Sequence, residues 1–274
     1  MNEIIRAIVL GIVQGITEFL PISSTAHLRI VPEFFNWEDP GAAYSAVIQI
    51  GTMLAVIIYF FKDLVKYFSA VILEIPQLKF GQKLESKLGW FILIGTIPIG
   101  VAGLLLENFI ENQARSLYIV AFNLFFFAWL LAMAEKLSKR KYTIEQLTFY
   151  RAMLMAFAQV FALIPGASRS GVTITGGLFA GLTREAAARF SFLLSVPAVF
   201  LSGMYEFYKY LPIFTQENLL SLLIATIFSF ISGYLSIGFL LRYFRTKSTF
   251  IFISYRIALS VLIFVLIYLQ IINP

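Results

Sequence analysis

Long apolar runs broken by short polar stretches dominate the chain. The apolar segments lie at about 4–20, 42–61, 88–106, 116–134, 152–164, 172–182, 187–205, 219–241 and 249–272. A bilayer-spanning helix takes about 20 apolar residues. The runs are continuous, not ten-residue alternations, which argues against a transmembrane barrel. Two polar stretches stand out inside this pattern, Gln14 to His27 and Pro165 to Thr173. A charge at bilayer depth costs about 2.5–3.5 kcal/mol on insertion scales. Non-helical backbone is tolerated there only when buried in protein or lining a wet cavity. Both stretches are therefore candidates for a site.

The loops set the topology. Lys62, Lys66, Lys79, Lys83 and Lys87 fall in one loop. Lys136, Lys139, Arg140, Lys141 and Arg151 fall in a second, and Arg242, Arg245 and Lys247 in a third. The intervening loops, 29–41, 107–115 and 206–218, hold only Arg29, Arg115 and Lys209, with seven acids. The positive-inside rule places the first set in the cytoplasm. Segments 42–61 and 187–205 then cross in opposite directions. This works if 1–28 and 152–182 each enter the membrane and return on the same side. The expected fold is an all-α polytopic membrane protein with six full spans (42–61, 88–106, 116–134, 187–205, 219–241, 249–272) and two re-entrant helix hairpins. Both chain ends lie outside, and Met1 to Leu10 reads as part of the mature protein because it lacks a basic n-region and a cleavage motif.

Internal echoes support two halves of opposite orientation, 1–140 and 141–274. Gln14 to Pro21 followed by Ser23-Ser24 matches Gln159 to Pro165 followed by Ser168 and Ser170. Ala42-Ala43 matches Ala187-Ala188, and Gly95-Thr96-Ile97 with Gly103 matches Ala225-Thr226-Ile227 with Gly233. Inverted-topology repeats of this kind build their sites from broken helices near the midplane.

Composition sharpens the class. Hydrophobic residues make up 59% of the chain and charged residues 13%, and the mean hydropathy is +0.85, more apolar than a soluble domain of this size needs. The net charge of +6 does not point to nucleic acid, since most of the excess sits in the three basic loops. With no cysteine, disulfide and thiol chemistry are absent.

The two polar stretches carry the chemistry. Gln14 and Glu18 are four apart and share a helix face; Pro21 ends that helix, and Ser23, Ser24 or Thr25 can cap the next. His27 is the only histidine, which excludes phosphatases that work through two. In the second stretch Gly166 and Gly171 permit close backbone approach. A helix beginning near Gly171 would aim free N–H groups at an anion. Arg169 supplies a fork matched to phosphate, and Ser168, Ser170 and Thr173 add hydroxyls. Arg6, Arg184, Glu185, Arg189 and Arg256 read mainly as snorkelling or interface residues.

These stretches, Gln-Gly-Ile-Thr-Glu-Phe-Leu-Pro-Ile-Ser-Ser-Thr-Ala-His and Pro-Gly-Ala-Ser-Arg-Ser-Gly-Val-Thr, closely resemble the paired signatures of the bacterial undecaprenyl-pyrophosphate phosphatases, the bacitracin-resistance family. Val47 to Thr52 and Phe190 to Pro197 resemble the spans that follow. The resemblance implies an inner-membrane enzyme that hydrolyses a polyprenyl pyrophosphate lipid, recycling the cell-wall carrier, with a cleft open to the outer face. It also implies a divalent metal, Mg²⁺ or Ca²⁺. Glu18, Ser24, His27 and Arg169 match the family's motif residues, and Glu18 is the candidate metal ligand. Gln14 stands where many members carry glutamate, and glutamine is a weaker ligand. Ser24 is favoured as nucleophile with Glu18 as base and His27 in support, with direct water attack the alternative. Gln14, Ser23, Thr25, Gly166, Ser168, Ser170, Gly171 and Thr173 are the candidate substrate-binding residues. A transporter or flippase using the same anion site is the rival reading. The oligomeric state stays open, with a homodimer among the alternatives.

Overall fold

The computed structural model describes residues 3–39, 41–77, 80–112, 116–210 and 216–272. Lys79 and Arg115, which entered the charge pattern, lie outside them, as do parts of the loops 107–115 and 206–218. Among the described residues the chain forms eleven α-helices and no strand. The first half holds α1 (Glu3–Phe19), α2 (Ser24–Phe34), α3 (Gly41–Tyr59), α4 (Phe61–Glu74), α5 (Leu84–Asn112) and α6 (Leu117–Leu137). The second holds α7 (Phe149–Val160), α8 (Arg169–Phe179), α9 (Arg184–Tyr210), α10 (Gln216–Thr246) and α11 (Phe250–Tyr268).

Five of these helices, α5, α6, α9, α10 and α11, are long and apolar enough to cross a membrane. A sixth span forms if α3 and α4, bent by 76° at Phe60, count as one. The chain is a polytopic helical membrane protein. Its outer surface suits lipid: Ile97, Val101, Leu104 and Leu105 of α5 all face outward. The two expected hairpins are helix–break–helix units, α1/α2 and α7/α8, whose 11- to 17-residue helices are short for a span.

Two boundaries differ from the sequence pattern. The first hairpin does not end near residue 28, because α2 continues to Phe34 through Pro32, with Arg29 and Glu33 paired along it at 2.5 Å. The basic stretch after residue 61 is not a loop. Leu64, Tyr67, Val71 and Glu74 recur at helical spacing and are buried, and Tyr67 and Val71 close on Gly89 of α5.

Packing follows an exchange of halves, α1 for α7, α3 for α9, α5 for α10 and α6 for α11. α1 packs on α10 as α7 packs on α5; α3 packs on α10 as α9 packs on α5; α3 meets α9, and α6 meets α11. The sequence echoes meet at matching places. A Cβ on Gly11 of α1 would lie 2.3 Å from the Ala225 carbonyl oxygen, and one on Gly95 of α5 would lie 3.3 Å from Ala156 Cβ of α7. Small residues at these crossings let the helix backbones approach closely, the usual device of membrane helix packing.

Most arginines assigned to snorkelling are paired instead. Arg184 and Arg140 both donate to Glu135, which is buried at the end of α6 and also accepts from Thr249 Oγ1 at 2.9 Å. Arg189 donates to Asp63 at 2.6 Å, and Arg6 donates to the Glu38 carbonyl at 2.7 Å. An unpaired charge near the bilayer is costly, so local acids and carbonyls take them up.

Candidate active site

The two hairpin breaks have the same construction. Ser23 (φ 75°, ψ 100°) and Ser168 (φ 70°, ψ 110°) each precede the second helix of their hairpin in the left-handed half of backbone space. Each hydroxyl accepts the N–H three residues on, Ala26 for Ser23 and Gly171 for Ser168. A non-glycine residue there is strained and persists only when its surroundings over-determine it. Pro21 and Pro165, just upstream, stop the first helix of each hairpin from running on.

The tips are tied directly to each other. Ser170 Oγ donates to the Leu20 carbonyl at 3.1 Å. The Gly166 N–H donates to Thr25 Oγ1 at 3.4 Å. Arg256, mid-way along α11 and fully buried, fans across both tips: it donates to the carbonyls of Pro21 (3.4 Å), Gly166 (3.0 Å) and Ala167 (3.0 Å), and to those of Leu124 and Asn123 on α6. Asn123 in turn donates to the Pro165 carbonyl at 3.0 Å. Arg256 is therefore a clamp and not an interface anchor as its sequence context suggested. Arg256→Met should remove the donor to the tip carbonyls of Pro21, Gly166 and Ala167, each such loss costing about 1–3 kcal/mol. The unfolding temperature of the purified protein in detergent should fall clearly, with Arg256→Lys recovering only part of the loss, because an ammonium is a compact point charge rather than a planar fork.

Glu18, at the end of α1, is the hub where the tips meet. Ser24 Oγ donates to its Oε2 at 2.8 Å and Gln14 Nε2 to the same oxygen at 3.1 Å. Arg169 Nη2 donates to Oε1 at 3.0 Å and Gln49 Nε2 at 3.4 Å. Four donors on a buried carboxylate fix its orientation. Arg169 is only partly spent on this bond. Its Nε and Nη1 are buried with no hydrogen-bond partner, and such orphaned donors are rare in folded proteins. They leave the guanidinium with N–H groups to spare beside a serine that is hydrogen-bonded to a carboxylate.

The structure thus brings Ser24, Glu18, Gln14 and Arg169 together, with the exposed Thr25 at the edge. His27 stands apart. Its Nδ1 lies 2.7 Å from the Ser23 carbonyl, which can only accept, so Nδ1 carries the proton, and Nε2 accepts from Tyr255 Oη at 2.6 Å. Both ring nitrogens are engaged, and His27 props the strained Ser23 peptide. The expected phosphate loop is likewise a structural element. Thr173 is buried and pairs with Ser191 at 2.5 Å while donating to the Arg169 carbonyl. Ser170, Ser168 and Ser23 are spent on the tips. α8 begins at Arg169, two residues before Gly171, and the Gly171 N–H is taken by Ser168. A Cβ on Gly171 would lie 2.7 Å from Arg256 Nη1, so this glycine makes room for the clamp. Gly166 (φ 88°) sits against the Val120 carbonyl. These six residues shape the tips and do not themselves offer free donors to a ligand.

Three contributors escaped the sequence reading: Gln49, Tyr255 and Arg256. Each is a polar residue in the middle of an apolar span, which was the available signal. Among the described residues no three His, Cys, Asp or Glu side chains converge to hold a metal ion. The tip does offer one carboxylate, Glu18, and the amide oxygens of Gln14 and Gln49. That set suits a hard cation that arrives with phosphate oxygens, as Mg²⁺ often does, and does not suit a resident ion caged by protein alone.

A polar site built from paired helix breaks inside a polytopic bundle defines this chain as a membrane protein with a polar centre among its helices. Comparison with known proteins places it further. The bacitracin resistance protein BacA family matches residues 7–262, and the chain belongs to that family. It is 50% identical over 265 residues to an undecaprenyl-diphosphatase of Myxococcus xanthus, covering 97% of this chain and 89% of that one. It is 51% identical over 274 residues to one of Chlorobaculum tepidum and 50% identical over 274 residues to one of Chlorobaculum parvum, in each case covering 97% of both chains.

Proposed function

We propose that the chain hydrolyses undecaprenyl pyrophosphate to undecaprenyl phosphate and inorganic phosphate, and so recycles the cell-wall lipid carrier and confers bacitracin resistance. The observation that carries this is the Ser24–Glu18–Arg169 constellation: a hydroxyl 2.8 Å from a carboxylate, beside a guanidinium with two buried, unpartnered nitrogens. The names of relatives at about half identity support it.

In this reading the prenyl tail lies among the apolar helices and the diphosphate enters at the hairpin tips. The unpartnered N–H groups of Arg169 receive the terminal phosphate and offset the charge that develops as the anhydride bond breaks. Ser24 Oγ attacks the terminal phosphorus while Glu18 takes its proton. The bond to the bridging oxygen breaks and undecaprenyl phosphate leaves. Water then attacks the phosphoserine, Glu18 again handling the proton, and phosphate is released. Gln14 and Gln49 keep Glu18 aimed. A divalent cation, Mg²⁺ or Ca²⁺, bound by Glu18 and the Gln14 and Gln49 amide oxygens, would neutralise diphosphate charge. In this reading the protein sits in the bacterial inner membrane with the cleft toward the outer face, an orientation that the loop charges support.

A carrier using the same anion site has no need of a serine paired with a carboxylate, which favours hydrolysis. The purified protein in detergent should release phosphate from a C55 prenyl diphosphate. A chelator should suppress release, and Mg²⁺ or Ca²⁺ should restore it. Folded protein that binds the lipid and releases no phosphate would favour the carrier.

A further inference from the structure

A second polar cavity lies far from the hairpin tips, at the face that carries the basic loops. It has a volume of about 730 Å³ and is formed where the ends of α3 and α10 meet the starts of α4 and α9. Three rings separate it from the tip site. Phe60 lines the cavity, Phe192 stands 6.5 Å from it, and Phe19, next to Glu18, stands 5.2 Å from Phe192.

The lining is unbalanced in charge. Lys62, Arg189, Arg242 and Arg245 face only two acids, Asp63 and Glu185. Both acids are already used: Asp63 accepts from Arg189 at 2.6 Å and Glu185 from Arg245 at 3.0 Å. Among the described residues Lys62 and Arg242 have no ion-pair partner. Arg189 Nε is buried without a hydrogen-bond partner. The 14-residue α4 also begins here, at Phe61, with no side chain capping its first N–H groups, and an uncapped helix start presents N–H groups and positive dipole to an anion. Beside these donors the wall is apolar, with Ile58, Phe61 and Leu241.

We propose that this cavity is a second anion site, and that it takes the headgroup of a lipid phosphomonoester. Two uncommitted cations match a phosphomonoester, which carries about −1.5 to −2 at neutral pH, better than the single charge of a phosphodiester lipid. The apolar wall gives the first carbons of the lipid chain a surface to lie on. The site is independent of the reading offered for the hairpin tips.

Native mass spectrometry with farnesyl monophosphate tests this in the full-length protein. The background is Arg169→Ala, which removes the main anion donor of the tip site, compared with and without Lys62→Gln and Arg242→Gln. Both of the latter residues are exposed and lie outside the tip site. The expected result is one bound ligand in the Arg169→Ala protein, weakened about tenfold or more by the added pair, a loss of about 1.4 kcal/mol. With Arg169 intact, the Lys62→Gln/Arg242→Gln protein should keep its phosphate release from prenyl diphosphate, which also shows that it is folded. Inorganic phosphate at the same concentration separates the sources. Weaker binding than farnesyl monophosphate supports the lipid headgroup. Equal binding overturns the lipid and leaves a site for free phosphate. Binding unaffected by the Lys62→Gln/Arg242→Gln pair would overturn the site itself.

Discussion

Ser24→Ala should reduce phosphate release by about 10⁴-fold or more, since removing a covalent nucleophile leaves only positioning and charge stabilisation. The structure gives this variant a clean background. Ser24 Oγ bonds only to Glu18 among the contacts at the tips, whereas the backbone break and the α2 cap depend on Ser23. The alanine protein should therefore keep its unfolding temperature and still bind prenyl diphosphate. Rates from purified wild-type and variant protein at saturating substrate check it. Near-normal turnover by Ser24→Ala would shift the attack to water and leave Ser24 as a partner of Glu18.

Arg169→Ala should lower turnover by about 10²–10³-fold, the range seen when one donor to developing charge is removed. It should also weaken diphosphate binding, because Nε and Nη1 have no other partner to satisfy. Arg169→Lys should recover little, since a compact ammonium cannot reach Glu18 and also present the N–H groups that a guanidinium spreads over three nitrogens. The side chain is mostly buried, with 11% exposure, so its loss also leaves the Glu18 carboxylate short of its charged donor. A cycle pairing Arg169→Ala with Glu18→Gln separates the two effects: if they act through one network, the double variant will be little worse than the weaker single one.

The fold was legible where the bilayer dictates it. Span length, apolar continuity and loop charge gave the full crossings. Proline followed by serines in both halves gave the breaks. What the pattern of apolarity missed was α4, because its buried stripe of Leu64, Tyr67 and Val71 alternates with lysines, and a lysine-rich stretch resembles a loop until its periodicity is counted. In the site, Glu18, Ser24 and Arg169 were readable because charge and hydroxyl are costly in an apolar stretch. The division of labour was not. Ser168, Ser170 and Gly171 have the composition of a phosphate loop, yet their hydrogen bonds go to Leu20 and to each other, and Gly171 leaves room for Arg256. Arg256 shows the reverse. Its partners are five backbone carbonyls from residues 21, 123, 124, 166 and 167, and a carbonyl leaves no trace in the identity of its residue.

The account rests on Glu18 as the group that joins the serine to the arginine. The measurement that tests it most directly is phosphate release and lipid binding by Glu18→Gln beside the wild type, each purified and given a C55 prenyl diphosphate with Mg²⁺ or Ca²⁺. A glutamine keeps the size of the side chain but cannot take a proton from Ser24. The account predicts phosphate release by the wild type, and a Glu18→Gln protein that still binds the lipid and turns over about 10²–10⁴-fold more slowly. Wild-type turnover by Glu18→Gln, or no release by folded wild-type protein, would contradict it.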